Sequence, residues 1–445
     1  MARSRSMILL LAGSVALAAC GGRARLEVAQ GTGPHPVLPA PEKALIPTIQ
    51  VSPAIGWPAG AKPVAAAGLE VSAFAVGLDH PRWMTVLPNG DVLVAETNGP
   101  IRPKDGRGIK GFFFKLFQKK AGSGVPSANR ITMLRDADGD GMAETRTIFL
   151  SGLNSPFGMT LVGDMLYIAD TDAVLAVPYH RDETRIAGSP RRIADLPAGE
   201  INHHWTKNLL ATPDGRHVFV TVGSNSNVAE NGIAAESERA AIWLVDIHDG
   251  SHSLYATGLR NPNGLAFEPT SGALWTTVNE RDELGSDLVP DYMTHVEQGA
   301  FYGWPFSYYG HHIDDRIKPA DRRPDLVARA VPPDYALGPH TASLGLAFAR
   351  GARLGAAFAE GAFVGQHGSW NRKPQSGYKV IFVPFAGGRP AGPPRDVLTG
   401  FLDTKGRAQG RPVGVAIDKS GSLLVADDVG NTIWRVSSAP SIAGR

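Results

Sequence analysis

Apolar residues recur along this chain in short runs of about five to eight, separated by polar turns, and no long stretch keeps a helical period. One unit returns throughout: a polar approach, an apolar strand, a turn, a second apolar strand and a polar loop. It appears as "HPRWMTVLPNGDVLVAETN" from His80, "NSPFGMTLVGDMLYIADTD" from Asn154 and "HHWTKNLLATPDGRHVFVTVGSNSN" from His203. It returns as "RNPNGLAFEPTSGALWTTVNERD" from Arg260, around "HTASLGLAFARG" from His340, and as "RPVGVAIDKSGSLLVADDVGN" from Arg411. Strands such as "NRITMLRD", "AAIWLVDI", "YKVIFVPF" and "NTIWRV" fill the intervals, so each unit supplies about four strands.

Six such units predict an all-β fold, a six-bladed β-propeller, which closes radially and leaves few strand edges open. A β-sandwich would not explain the regular strand–turn–strand recurrence. The run "LEVSAFAVGL" from Leu69 is expected to complete the last blade as its outer strand. The propeller is placed at 69–440, with long insertions at about 99–128 and 282–339. The content of 52 glycines and 34 prolines suits so many turns.

The chain ahead of the propeller reads differently. Arg3 and Arg5 precede an apolar core from Met7 to Ala19, the pattern of a secretory signal over 1–19. "LAAC", ending at Cys20, resembles a bacterial lipobox, which implies cleavage there, acylation of Cys20, and a lipid anchor in a periplasmic membrane leaflet. Gly21 favours the outer membrane. Residues 20–68 are rich in Pro, Ala and Gly and are expected to form a tether. Cys20 is the only cysteine, which rules out an intramolecular disulfide and a catalytic thiol in the body. The formal net charge of +2 gives no polybasic pull toward nucleic acid.

In an antiparallel blade, the approach to the innermost strand and the loop after the second strand share one face. The six approaches bring His80, Arg82, Asn154, Asn202, His203, His204, Lys207, Arg260, Asn261, His340 and Arg411 to one channel mouth. The second loops add Glu96, Asn98, Asp170, Asn225, Asn227, Asn279 to Asp282, His367 to Arg372, and Asp427. Turn chemistry alone asks for Gly, Asn and Asp, not for bulky cations. Such a cluster implies a ligand or mutual pairing of the charges. If a ligand, an anion with several acid groups fits the cations, and histidine supplies a base near neutral pH. There is no glycine-rich dinucleotide fingerprint.

Three stretches carry a resemblance to the glucose/sorbosone dehydrogenase family, six-bladed propellers that use pyrroloquinoline quinone (PQQ): "HHWTKNLLATPDG", "GLRNPNGLAFEP" and "GAFYGWP". The resemblance implies oxidation of an aldose or sugar aldehyde, with hydride passing to PQQ and electrons leaving to a quinone or a small redox protein. It puts the catalytic base on His204 and a polarising and binding role on Arg260. It puts further PQQ contacts on Lys207, Asn261, Trp370, Arg372 and Arg411, and Ca²⁺ on backbone carbonyls at Asp282 and Glu283. The chain departs from the family at His203, where an acidic residue is usual, and in "QHGSWNRKP", where Arg372 stands in for a lysine. If the two histidines were extended, only one would face the cofactor.

Two signals stand apart. "DADGDGMAE" places Asp136, Asp138 and Asp140 at EF-hand spacing, but Thr147 stands where the loop needs a bidentate Glu; a structural Ca²⁺ site and a plain acidic turn both remain open. "GIKGFFFKLFQKKAG", from Gly108, reads as an amphipathic helix for a membrane or acceptor protein, or as a lid packed on the propeller. The rival functions are a calcium-dependent lactonase, with Glu96, Asn225 and Asn279 as ligands, and a propeller with a degenerate binding site.

Overall fold

Every residue of the strands Val92–Glu96, Leu274–Val278 and Leu423–Asp427 is buried. Each is the second strand of its sheet and is covered on both faces by neighbouring sheets, so it reads as an unbroken apolar run. Outer strands such as Thr145–Ser151 have wet and dry positions. The computed structural model of the 445-residue chain describes residues 21–44, 46–100 and 116–440.

Six antiparallel sheets follow one another as blades. Blade 1 runs from Pro81–Val86 to Thr145–Ser151, blade 2 from Met159–Val162 to Arg191–Asp195, and blade 3 from Leu209–Ala211 to His252–Thr257. Blade 4 runs from Pro262–Phe267 to Tyr335–Pro339, blade 5 from Ser343–Phe348 to Arg395–Thr399, and blade 6 from Pro412–Ile417 to Thr432–Ser438. Leu69–Val76 is the fourth strand of blade 6, with Val76 opposite Thr432 and Leu69 opposite Ser438, as the sequence predicted. Apolar clusters fill the spaces between blades; one joins Trp83, Leu93 and Phe157, another Trp275, Leu346 and Val364. The innermost strands crowd around the channel, and glycine permits it. A Cβ on Gly264 would lie 2.5 Å from Leu346 Cβ, and one on Gly345 would lie 2.3 Å from Val413 O.

Two boundaries differ from the sequence reading. The stretch 282–339 is not a single insertion. It contains Pro290–His295 and Tyr335–Pro339, the two outer strands of blade 4, and the true insertion lies between them at 296–334. Its only cue was the alternation in "PDYMTH", which is too short to stand out from a loop.

The expected tether also differs. Thr32–Gly33 pairs with the outer strand of blade 4, and Val64–Ala65 pairs with the outer strand of blade 5. Between them the chain crosses the channel mouth. Gln50 N donates to Trp370 O at 2.7 Å, and Trp57 Nε1 donates to Asp427 Oδ2 at 2.7 Å. Trp57 also packs edge-on against Phe401 and Trp434. Pro and Gly suit a strap that makes many turns over a surface as well as they suit a free linker, so composition did not separate the two. Residues 1–19, Cys20 and most of the Phe-rich stretch lie outside the described residues. Among the described residues, no helix is long and apolar enough to cross a membrane.

Candidate functional site at the channel mouth

The approaches and second loops of the blades open on a polar cavity of about 560 Å³. His203, His204 and Trp205 come from the approach to blade 3, and Arg260 from the approach to blade 4. Asn227, Asn279, Asp282 and Glu283 come from second loops, Trp370 from blade 5, and Arg82 from blade 1. Asn98, Gln118 and Ser123 add the rim from the first insertion. The volume suits a small cofactor with room for part of a substrate.

His204 is fixed by its own blade. Its Nδ1 lies 2.9 Å from both the carbonyl and the hydroxyl oxygen of Ser224. The Ser224 hydroxyl donates to Ser226 O at 2.6 Å, so neither oxygen offers His204 a proton. Nδ1 therefore carries the hydrogen and donates it, and Nε2 keeps the lone pair of a base. Gly223 makes room for this arrangement: a Cβ there would sit 2.5 Å from His204 Cβ. The chain bends at residues 203–204, so both histidines line the cavity and the expectation of a single facing ring does not hold.

Arg260 is 2% exposed and uses its whole fork. Nε donates to Asn227 O at 3.1 Å, and Nη1 donates to Glu280 O at 2.7 Å and Asn279 O at 3.2 Å. Nη2 donates to Asn227 Oδ1 at 2.9 Å and Asp282 Oδ2 at 3.2 Å. Burial works against the Asp282 carboxylate, yet His340, Arg260 and Asn371 hold its pKa below the usual range. The "GAFYGWP" turn reaches the same hub, because Trp304 Nε1 donates to Asn227 O at 3.0 Å.

The other cations predicted for a cofactor do not line this cavity. Lys207 is fully buried, Nζ donates to Trp205 O at 3.3 Å, and burial with Arg239 nearby pushes its pKa well down. Arg372 lies under the strap, donating to Leu26 O at 2.7 Å and Pro374 O at 3.0 Å, with Asp287 3.4 Å away. Arg411 is also covered: Nη2 reaches Ser52 O at 3.4 Å, and its guanidinium sits 4.9 Å from the Tyr378 ring centre. Asn261 turns its amide toward Gly223 and packs behind the wall. At the mouth, mutual pairing won over an open ring of positive charge.

A second knot closes the mouth between blades 5, 6 and 1. Asp428 accepts from Arg82 Nη1 at 2.6 Å and from His367 Nε2 at 2.9 Å, with His80 Nε2 at 3.5 Å. Burial opposes its ionisation, but His367, His80 and Arg82 keep it well below the usual carboxylate range. Burial pushes His367 down from 6.5 to about 4, despite Asp428. A folded-state pKa below the unfolded one means that the unfolded chain binds more protons in that window, so stability falls as pH drops from 6.5 toward 4. The full term is roughly 3 kcal/mol. His367→Gln should remove it: thermal unfolding at pH 7 and pH 4.5 should show the wild type losing several degrees more than the variant on acidification.

A family model described as TrAA12-like matches residues 116–298 and 319–439, from the third strand of blade 1 through blade 6. The chain belongs to the TrAA12-like family. It is 25% identical over 327 residues to aldose sugar dehydrogenase YliI of Escherichia coli K12, covering 68% of this chain and 78% of that protein. It is 26% identical over 300 residues to an uncharacterized protein of Borreliella burgdorferi, covering 64% of this chain and 76% of that one. Among solved structures, the calcium structure of the Trichoderma reesei AA12 enzyme superposes with a TM-score of 0.68 at 19% identity, over 88% of this chain and 98% of that chain. The holo PQQ domain of Coprinopsis cinerea pyranose dehydrogenase gives a TM-score of 0.65 at 21% identity, over 86% and 98%. These two likenesses are of fold.

In this TrAA12-like chain the calcium assignment meets an obstacle. The Asp282 carbonyl accepts from Arg316 Nη1 at 2.8 Å and from Asn227 Nδ2 at 3.3 Å. A guanidinium on that oxygen occupies and repels the place a dication would take, so Ca²⁺ on the Asp282 carbonyl does not fit. Nothing in the sequence placed Arg316, some 34 residues away, on this atom. Glu230 is another wall residue the sequence reading missed; it sits beside His203 and accepts from Asn227 N at 3.0 Å and Val228 N at 2.7 Å. Far from the mouth, Asp136, Asp138, Asp140 and Glu144 gather ligand atoms within 4.8 Å of one another. Glu144 supplies the carboxylate that position 147 lacks. Each of the four also accepts a backbone N–H of the turn, as an acidic turn does without metal.

Proposed function

We propose that the chain is a PQQ-dependent dehydrogenase that oxidises an aldose or a sugar aldehyde at this mouth. The observation that carries the reading is His204, held at the cavity wall by its Nδ1 contact to the Ser224 carbonyl, beside Arg260. The relatives named as aldose sugar dehydrogenase and PQQ-dependent sugar dehydrogenase support it.

The residues present fit a flat aromatic group. Trp205 and Trp370 line the cavity, Asn98, Asn227, Asn279 and Gln118 offer amides, and Arg82 carries a buried Nε with no partner. Among the described residues Arg82 and Arg260 are the cations that line the cavity; Arg82, with its unpaired Nε, would hold an acid group, while Arg260, whose N–H groups are already taken, would act by fixing the wall. PQQ supplies the hydride-accepting carbonyl carbon. The chain supplies the rest. His204 Nε2 takes the proton of the sugar hydroxyl as the C–H bond breaks, and its Nδ1–H to Ser224 O stabilises the imidazolium that results. Arg260 keeps Asn227, Asn279 and Asp282 in register around that base. Extension of the reading to a periplasmic, lipid-anchored protein rests on the "LAAC" pattern at Cys20.

A lactonase needs Glu96, Asn225 and Asn279 to converge on a metal. Glu96 is fully buried and held by Arg130 and Thr132, and Asn225 Nδ2 donates to Ile201 O at 2.9 Å. Asn279 lines the cavity without them. The deciding experiment adds PQQ to purified protein and follows its absorption spectrum, then offers aldoses and hydrated aldehydes with a dye acceptor. Saturable binding followed by dye reduction is expected. PQQ bound without turnover of any of these substrates would refute the assignment.

A further inference from the structure

Beside the polar cavity lies a second one of about 920 Å³, mainly apolar, roofed by the strap. Ile46, Ile49, Phe117, Leu284, Tyr308 and Ile313 form its walls. The two cavities share Trp370 and Glu283, so one indole separates them. The roof is built in: Glu42 N donates to Leu284 O at 3.0 Å, and Gln50 N donates to the backbone oxygen of that shared Trp370. At the rim, Ile46, Ile49 and Ile313 are 50%, 37% and 56% exposed, an unusual concentration of β-branched apolar side chains on the surface.

We propose that this cavity binds the electron acceptor, and that the acceptor is a lipid-soluble quinone carrying an alkyl or isoprenoid tail. The inference rests on the dehydrogenase reading for its redox role. Three features select this occupant. The cavity touches the oxidising site through Trp370, so a flat ring held there is one side chain from the electrons. Its surface is mainly aromatic and aliphatic, with Glu42, Glu283, Asp314, Asp315 and Arg316 as its charged lining, while the Lys43 ammonium and the Tyr308 hydroxyl offer donors suited to two quinone carbonyls. The rim lies next to the point where an anchor would begin: Gly21 N donates to Ile46 O at 2.7 Å, so a chain acylated at Cys20 turns the isoleucines toward lipid.

The overall balance is closed. The sugar loses one C–H and one O–H bond and gains a C=O. Its two electrons and two protons appear on the quinone, whose two carbonyls become the hydroxyls of a quinol.

The test is binding, measured without PQQ. Decyl-ubiquinone is titrated into the Cys20→Ser protein and into the membrane-extracted acylated protein while tryptophan fluorescence is recorded. Saturable quenching in both is expected, and Ile49→Asp and Ile313→Asp should each weaken it at least tenfold; Ile313 is exposed enough for its variant to fold. No saturable quenching, or quenching indifferent to both substitutions, overturns the site. Quenching in the Cys20→Ser protein alone also overturns it, because the chain's own acyl group would then fill the space. Quinone binding by a protein that binds no PQQ would keep the site and remove the dehydrogenase reading.

Discussion

His204→Ala should lower sugar oxidation by about 10²–10⁴-fold, the usual contribution of a positioned base, while leaving PQQ binding and the thermal midpoint nearly unchanged. The ring is partly exposed, so its loss opens space that water can enter rather than a cavity in the core. The Ser224 hydroxyl keeps its bond to Ser226 O, so the loop that presents the base survives. The measurement is kcat with a dye acceptor, beside a PQQ titration of the same preparation. His203→Ala is the control: it lies beside the Glu230 carboxylate, whereas the Ser224 carbonyl orients His204, and it should keep turnover within about tenfold. Equal losses in both variants would mean that the base had been misassigned.

Arg260→Met should act on stability and activity together. The side chain bonds three backbone carbonyls, two amide oxygens and Asp282, and among the described residues no other cation replaces the whole fork. Removing it strands the Asp282 carboxylate with His340 and Asn371. Breaking a buried pair on one side costs roughly 3–5 kcal/mol, and thermal unfolding should begin several degrees lower. Turnover should fall with it, because Asn227 and Asn279 lose their anchor at the cavity wall. Arg260→Lys restores the charge but not the fork, and should recover part of the stability and little of the rate. A variant as stable as the wild type would show that the hub is decoration.

The architecture was legible because it repeats. Six apolar strand–turn–strand units in fixed order leave few folds open, and the strand at Leu69 could be read as the one that completes the last blade. The site was legible in part. His204, Arg260, Asp282, Glu283 and Trp370 came from equivalent corners of different blades, and the structure gathers them on one cavity. Lys207, Arg372 and Arg411 occupy equivalent corners too, but a corner sets only where a Cα lies. Which way a long side chain turns depends on partners distant in sequence, such as Ser52 above Arg411 and Leu26 above Arg372. Those partners belong to the strap, whose composition gave no hint of attachment. Arg316 on the Asp282 carbonyl is the same case, since it occupies one of the two carbonyls expected to hold calcium.

The pairing of Leu69–Val76 with Thr432–Ser438 joins strands made at opposite ends of synthesis. Until the last blade leaves the ribosome, the early strand has no mate, and until blades 4 and 5 have formed the strap has no edges to settle on. The nascent protein thus travels with a long sticky margin uncovered, the kind of surface that aggregates or recruits chaperones. Ring closure comes last, and shortening the chain by even its final strand should leave an open, protease-sensitive crescent instead of a smaller propeller.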